Sequence, residues 1–298
     1  MRVLALDIGG TSIKIGIINK HGEILESSEV PTFAKEGGEV LINRVLDIIG
    51  RYDNIDRIGI SATGQVDPIE GKIIFATDNI PGWTGIEIKR RIEEKYKIPT
   101  AVENDVNAAA LGEAYFGAAI GNESFLCLTY GTGVGGAIIE KGEIYRGNLN
   151  SAGEFGHIIT HVGGRDCTCG GKGCYETYAS TTSLVRQVKE KLGMEDVNGR
   201  IIFDYLNKGN HDIKNIVDKW LQEVIMGLVS LIHIFNPSLI VLGGGIMSQT
   251  YIIDYIRENL PNYVMPNYKE VKVVQASLGN NAGILGAAHL AMKAKPRI

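Results

Sequence analysis

A short pattern occurs twice in this chain, and it constrains the fold more than any other feature of the sequence. The first copy, LALDIGGTSIKIGIINKHGEIL from Leu4, separates the β-branched runs Leu4 to Ile8 and Ile13 to Ile18 by the turn Gly9-Gly10-Thr11, then turns again at His21-Gly22. The second, LCLTYGTGVGGAIIEKGEIY from Leu126 to Tyr145, repeats strand, Gly-Thr-Gly turn, strand, Lys-Gly turn and strand. Gly9 matches Gly131, and after a gap of two residues Gly22-Glu23-Ile24 matches Gly142-Glu143-Ile144. Duplication of one supersecondary unit predicts two related halves facing each other. In a single hairpin the glycines could serve only to supply positive φ. Turns of this kind also leave backbone N–H groups free for a phosphate, with Thr11 and Lys14 adding a hydroxyl and a charge and Asp7 placed to hold magnesium through water. Two such turns across a cleft would grip a polyphosphate, an argument stronger than either turn alone.

Between and after the copies the chain alternates helix and strand, which predicts an α/β protein. Helical spacing runs from Gly38 to Arg51, Ile86 to Lys97 and Asn107 to Phe116; Arg57 to Ser61 and Thr100 to Glu103 read as strands. Further helices are predicted over Thr182 to Leu192, Arg200 to Asn207 and Asp212 to Phe235, the last stopped by Asn236-Pro237. Ser238 to Leu242 is a buried strand that runs into Gly243-Gly244-Gly245, ahead of a helix from Ser248 to Asn259. Such a triplet lets a flat ligand such as adenine press on the backbone, although it also serves as an ordinary tight turn. Val271 to Gln275 is a last strand and Asn281 to Lys293 a helix of small residues.

Asn104 and Asp105 fall where a strand ends and an Ala-rich helix begins. One of Asn104, Asp105 and Asn107 suffices to cap that helix, which leaves a side chain for other work. A carboxylate there can act as general base toward a bound hydroxyl. The loop after Arg57 to Ser61 carries Gly64 and Gln65 at a strand end, where ligand clefts commonly lie.

From Ser151 to Ser180 the chain reads SAGEFGHIITHVGGRDCTCGGKGCYETYAS. His157, Cys167, Cys169 and Cys174 have the identities and number of a closed tetrahedral zinc site, bracketed by Glu154 and Glu176. A metal would fold a Gly-rich loop that buries too little apolar surface to fold itself, and would fix both carboxylates. Four protein ligands leave no open position, so this zinc is expected to be structural. The alternatives are buried cysteines or a disulfide. The N-terminus MRVLALDIGG lacks the run and cleavage site of a signal peptide, and three cysteines cannot all pair with one another.

A net charge of -4 argues against attraction to nucleic acid or an anionic membrane. The apolar stretch Val224 to Phe235 is too short to span a bilayer and carries His233. Small molecules or other subunits are the expected partners, and the cytoplasm the expected address.

These motifs resemble the ROK family (repressors, open reading frames and sugar kinases). The resemblance rests on DIGGT at Asp7, ENDVNAAALGE at Glu103, the Gly131 to Gly136 loop, EFGH at Glu154, CTCGGKGCYE at Cys167 and LGGGI at Leu242, and covers essentially the entire chain. It implies an actin-like, ribonuclease-H-like α/β fold of two domains with a cleft for Mg-ATP and a hexopyranose. The expected domains are 1–117, with the helix 281–298 packing back on it, and 118–280, with the zinc loop 154–176. Asp105 matches the family's general base. Gly64, Asn104, Asp105, Glu154, His157 and Glu176 match sugar-contacting positions, with His157 serving zinc as well. Asp7, Gly9, Gly10, Thr11, Lys14, Gly131, Thr132, Gly133, Gly243, Gly244 and Gly245 match the nucleotide side. A homodimer is what the resemblance suggests. Repressors of the family carry a helix-turn-helix module before this core, and the chain opens directly at its first strand, so a kinase is expected rather than a repressor. The intact Asp105 argues against a sugar sensor without catalysis.

The expected reaction is phosphorylation of a hexose 6-hydroxyl by ATP, with glucose first and N-acetylmannosamine or N-acetylglucosamine second. The zinc motif makes the zinc-lacking β-glucoside kinases a poorer match. Ala62-Thr63-Gly64-Gln65 lacks a Pro-Gly pair common in this loop, and Tyr175 stands where Leu is frequent; both departures are expected near the sugar and so weaken the assignment to glucose.

Overall fold

The computed structural model describes residues 1–294, and within them the chain divides into two compact units. One comprises Met1–Gly121, Gly142–Ala152 and the chain from Asn280 on; the other comprises Asn122–Lys141 and Gly153–Gly279. The helix expected over 281–298 spans Ala282–Lys293, and residues 295–298 lie outside the described ones.

The first unit is built on strands β1 (Arg2–Ile8), β2 (Ser12–Asn19), β3 (Ile24–Pro31), β4 (Arg57–Ala62), the small hairpin pair β5 (Gln65–Asp67) and β6 (Lys72–Phe75), and β7 (Thr100–Asn104). Its main sheet has the order β3-β2-β1-β4-β7. β1 to β3 form the antiparallel meander expected from the Gly and His-Gly turns; β4 and β7 run parallel to β1. Register does the positioning. Asp7 lies beside Ser61, Ser61 beside Glu103, and Ala62 beside Asn104, so the carboxyl ends of three parallel strands bring Asp7, the Gly64 loop and Asn104-Asp105 to one edge. That edge is where ligands bind in open α/β sheets.

Leu4, Leu6 and Ile8 of β1 pack with Ile58 and Ile60 of β4 and with Leu41, Val45 and Leu46 of the helix Gly38–Ile49 in one core, each large side chain contributing about 1.5–3 kcal/mol of burial. On the other face the helix Asp105–Phe116 and the final helix cross backbone to backbone. A Cβ at Gly286 would stand 1.7 Å from the Ala108 carbonyl oxygen, and one at Gly112 2.4 Å from that of Ala282. The small residues of both helices are what this approach requires.

In the second unit the sheet runs Val134–Glu140, Phe125–Tyr130, Leu239–Gly243, Lys272–Gln275 in space. The first pair is antiparallel and the others parallel, as in the first unit. The helix His211–Phe235 crosses this unit, burying Ile216, Trp220, Val224, Leu228 and Leu231. Asn210 caps its start by accepting from Ile213 N–H, and Asn236 ends it at φ 46° before Pro237. The helix expected over Ser248 to Asn259 is two pieces. A 3-10 turn, Gly245–Ser248, precedes an α-helix that starts at Thr250, with extended Gln249 between them. Among the described residues no helix is long and apolar enough to cross a membrane.

Candidate functional site

The first glycine turn is pinned from outside. Gly9 N–H donates to Ser12 carbonyl at 3.0 Å, while the buried Thr32 donates its hydroxyl to Gly9 carbonyl at 2.7 Å and its N–H to Thr11 carbonyl at 2.9 Å. Both ends of the turn are thereby held with its Gly10 face open; a Cβ at Gly10 would meet nothing within 4 Å. Thr32 has no motif signature, and sequence reasoning missed it. Behind the turn, Asp7 accepts from Ser61 Oγ at 2.6 Å and sits across the ladder from Lys14. Burial raises its pKa, against the pull of the Ser61 bond and the Lys14 charge.

Asn104 is the cap of the helix Asp105–Phe116. Its side-chain oxygen accepts from Val106 and Asn107 N–H at 3.0 and 3.1 Å, and its Nδ2 donates to Gly64 carbonyl and to Asp105 Oδ1, both at 2.9 Å. Gly64 holds φ 102°, open only to glycine, and its ideal Cβ would lie 2.8 Å from Phe75 carbonyl. The capping question therefore resolves to Asn104, and Asp105 becomes the first helical residue. Its pKa is pushed up to about 7, first by desolvation and then by the charge of Asp7, against the N–H of Val106 and the amide of Asn104. A carboxyl poised there can give or take a proton at neutral pH, as a general base needs.

Beneath this turn lies an ion pair that sequence reasoning also missed. Glu103, 1% exposed, stands 2.6 Å from Arg146 Nη1. Its other oxygen accepts from Asn104 N–H at 2.9 Å and Asn107 Nδ2 at 3.1 Å. Only the END triplet hinted at it, with no signal for a partner some forty positions away.

In the second unit, Gly131 N–H donates to Gly133 carbonyl at 3.0 Å and Gly131 carbonyl accepts from Thr181 N–H at 3.0 Å, closing the turn that carries Thr132. Of the glycine triplet, Gly244 is required by the protein's own packing: at φ 94° its Cβ would lie 2.2 Å from Tyr130 carbonyl. Gly245 faces open space, and Gly243 ends its strand with ordinary contacts.

The ligand atoms of His157, Cys167, Cys169 and Cys174 all lie within 4.8 Å of one another. Cys169 and Cys174 Sγ are 3.6 Å apart, as are Cys167 Sγ and His157 Nδ1. A tetrahedron with Zn–S bonds of about 2.3 Å has edges of about 3.8 Å, so the donor set fits zinc in size and chemistry. All four cysteines are free thiols, which removes the disulfide alternative. His157 Nε2 lies 3.9 Å from Glu154, and Glu176 Oε1 lies 3.8 Å from His157 Nδ1 and 3.2 Å from Cys167 Sγ. The loop has a second anchor. His161 stacks on Tyr178 at 3.8 Å, the Arg165 guanidinium lies 4.6 Å from the centre of the same ring, and Tyr178 hydroxyl accepts from Arg165 N–H at 2.8 Å.

Tyr175, expected near the sugar, turns away from the surface. Its side chain is fully buried, donates to Val224 carbonyl at 2.7 Å, pairs with Tyr130 hydroxyl at 2.8 Å and fills the space left by Gly227. It is a core residue and offers no surface to a sugar.

The model of the ROK family matches residues 3–294. An uncharacterized protein of Clostridium perfringens is 40% identical, with 95% of each chain covered, and the glucokinase of Thermotoga maritima 30% identical, with 97% of each covered. The crystal structure of a ROK family glucokinase from Streptomyces griseus, in complex with glucose and AMPPNP, superposes with a TM-score of 0.87 at 31% identity, over 98% of this chain and 100% of that one. With an α/β architecture of this kind, these motifs and a match across nearly its whole length, the chain belongs to the ROK family.

Proposed function

We infer that the protein is an ATP-dependent sugar kinase of the hexokinase type, acting on the 6-hydroxyl of a hexose, with glucose the first candidate. The observation that carries this reading is Asp105: a carboxyl with a pKa of about 7, fixed by the Asn104 cap at a strand end. Phosphoryl transfer asks for positioning, charge neutralisation and a base on the nucleophile rather than covalent chemistry. Magnesium, when bound with ATP, would neutralise phosphate charge. In this reading Asp105 takes the proton of the attacking hydroxyl, and Gly64, Asn104, Glu154, His157 and Glu176 orient the sugar. Asp7, Gly9, Gly10, Thr11 and Lys14, with Gly131 to Gly133 and Gly243 to Gly245, hold the nucleotide. The names of the Thermotoga maritima relative and the Streptomyces griseus structure support glucose and an ATP-like donor.

The test is ADP release with Mg-ATP against glucose, mannose, fructose, N-acetylglucosamine and N-acetylmannosamine, for wild type and Asp105→Asn. Sugar-dependent turnover is expected to fall at least about 100-fold in the variant with sugar binding retained. Equal turnover in both proteins would remove Asp105 from the chemistry, and no turnover on any of the sugars would overturn the substrate class.

A further inference from the structure

Glu176 does more than face a sugar. Its Oε2 accepts from Val134 N–H at 3.3 Å and occupies the room beside Gly133, where an ideal Cβ would come within 2.3 Å of it. Its Oε1 accepts from Cys167 Sγ at 3.2 Å and lies 3.8 Å from His157 Nδ1. One carboxylate thus bridges two metal-site residues and the Gly131–Gly133 turn. The side chain is 17% exposed, which leaves it little freedom to turn elsewhere. The same segment holds the turn a second time, through Thr181 N–H on Gly131 carbonyl. Glu176 opens the short helix Glu176–Ala179 directly after the last cluster cysteine, Cys174, and its neighbour Tyr175.

We propose that Glu176 is a positioning residue that ties the Gly131–Gly133 turn to the Cys167–His157 edge of the metal cluster, so that an ordered cluster sets the geometry of the turn. A hydrogen bond from Cys167 holds Oε1 in the thiol form. In a loaded cluster three thiolates would outweigh the charge of a divalent cation, so the link would run through the chain itself, Glu176 following the ligand Cys174 by two positions. Gly133 is glycine because the carboxylate takes the place of its side chain. The functional side of the proposal rests on the nucleotide-binding reading of this turn, since there the tie links metal occupancy to phosphate binding.

The test is hydrogen exchange of the 131–135 segment in zinc-loaded protein, with metal content measured, for wild type, Glu176→Ala and Glu176→Gln. Glu176→Ala is expected to speed exchange there roughly five- to tenfold, the loss of about one hydrogen bond, while Glu176→Gln, which keeps an acceptor for Val134, stays within about twofold of wild type. Removing zinc with a chelator should speed exchange of the same segment in wild type and add nothing in Glu176→Ala. Mg-ADP affinity, measured by titration calorimetry, should fall in parallel. The tie is overturned if zinc-loaded Glu176→Ala exchanges like wild type at 131–135, or if chelation exposes 158–174 and leaves 131–135 protected. Coupled exchange with unchanged Mg-ADP affinity would uphold the tie and remove the nucleotide role of the turn.

Discussion

The charge of Asp7 acts on Asp105, adding to desolvation in raising that carboxyl to about 7. Both residues belong to the first unit, at the aligned ends of β1 and β7. The proposed base is thus tuned by a neighbour proposed for the nucleotide side.

Turnover is expected to rise with pH through about 7 as Asp105 loses its proton. Asp7→Asn should move this limb of the kcat/KM profile toward acid, whatever it does to nucleotide affinity. A limb unmoved in that variant would show that the two carboxyls do not interact.

The same shift carries a stability consequence. An acid whose pKa is raised on folding binds more protons in the native state, so its contribution is present below about 4 and is lost as pH rises through about 7. Asp105→Asn should therefore be more stable than wild type at pH 8, by about 1–2 kcal/mol after allowance for partial exposure, and lose that advantage by pH 4. Urea unfolding at the two pH values checks it.

Arg146→Ala would strand Glu103 as an uncompensated buried charge and is expected to cost about 3 kcal/mol in urea unfolding. The double variant Glu103→Gln with Arg146→Gln should recover part of that loss. Additive losses in the double variant would contradict a direct pairing.

Gly227→Ala would drive a methyl group to 2.2 Å from the Tyr175 ring and is expected to destabilise by about 1–3 kcal/mol. Adding Tyr175→Leu should relieve the clash. Because Tyr175 is sealed in the core, Tyr175→Leu alone should leave the ranking of sugars unchanged in the turnover panel.

Thr32→Val removes the hydroxyl that holds Gly9 carbonyl and keeps the shape of the side chain. On the nucleotide reading, KM for ATP should rise about threefold or more with little change in KM for the sugar, since one hydrogen bond is worth about 1 kcal/mol.

Much of this was legible in the sequence because it is written locally. The meander of β1 to β3 follows from alternating runs and Gly turns, the long helix from its apolar stripe and its Asn-Pro stop, and the metal cluster from ligand identity. What escaped depends on contacts between distant segments. Thr32 reaches back to Gly9, Arg146 to Glu103, and Tyr178 holds a loop through His161 and Arg165; none belongs to a local pattern. Tyr175 turns its ring into the core beside Gly227, a direction that a Tyr in place of Leu in the motif does not specify. The helix expected from Ser248 starts late because the residues after Gly244 first form a 3-10 turn.

The first unit is assembled from three separate stretches of chain, and its last helix, Ala282–Lys293, packs on Asp105–Phe116 and β4. A ribosome delivers that helix only after every residue of the second unit has left the exit tunnel. The glycine and alanine face of Asp105–Phe116, which carries the proposed base at its head, therefore waits uncovered through most of synthesis, and a nascent chain released before Ala282 cannot complete the unit that holds Asp105.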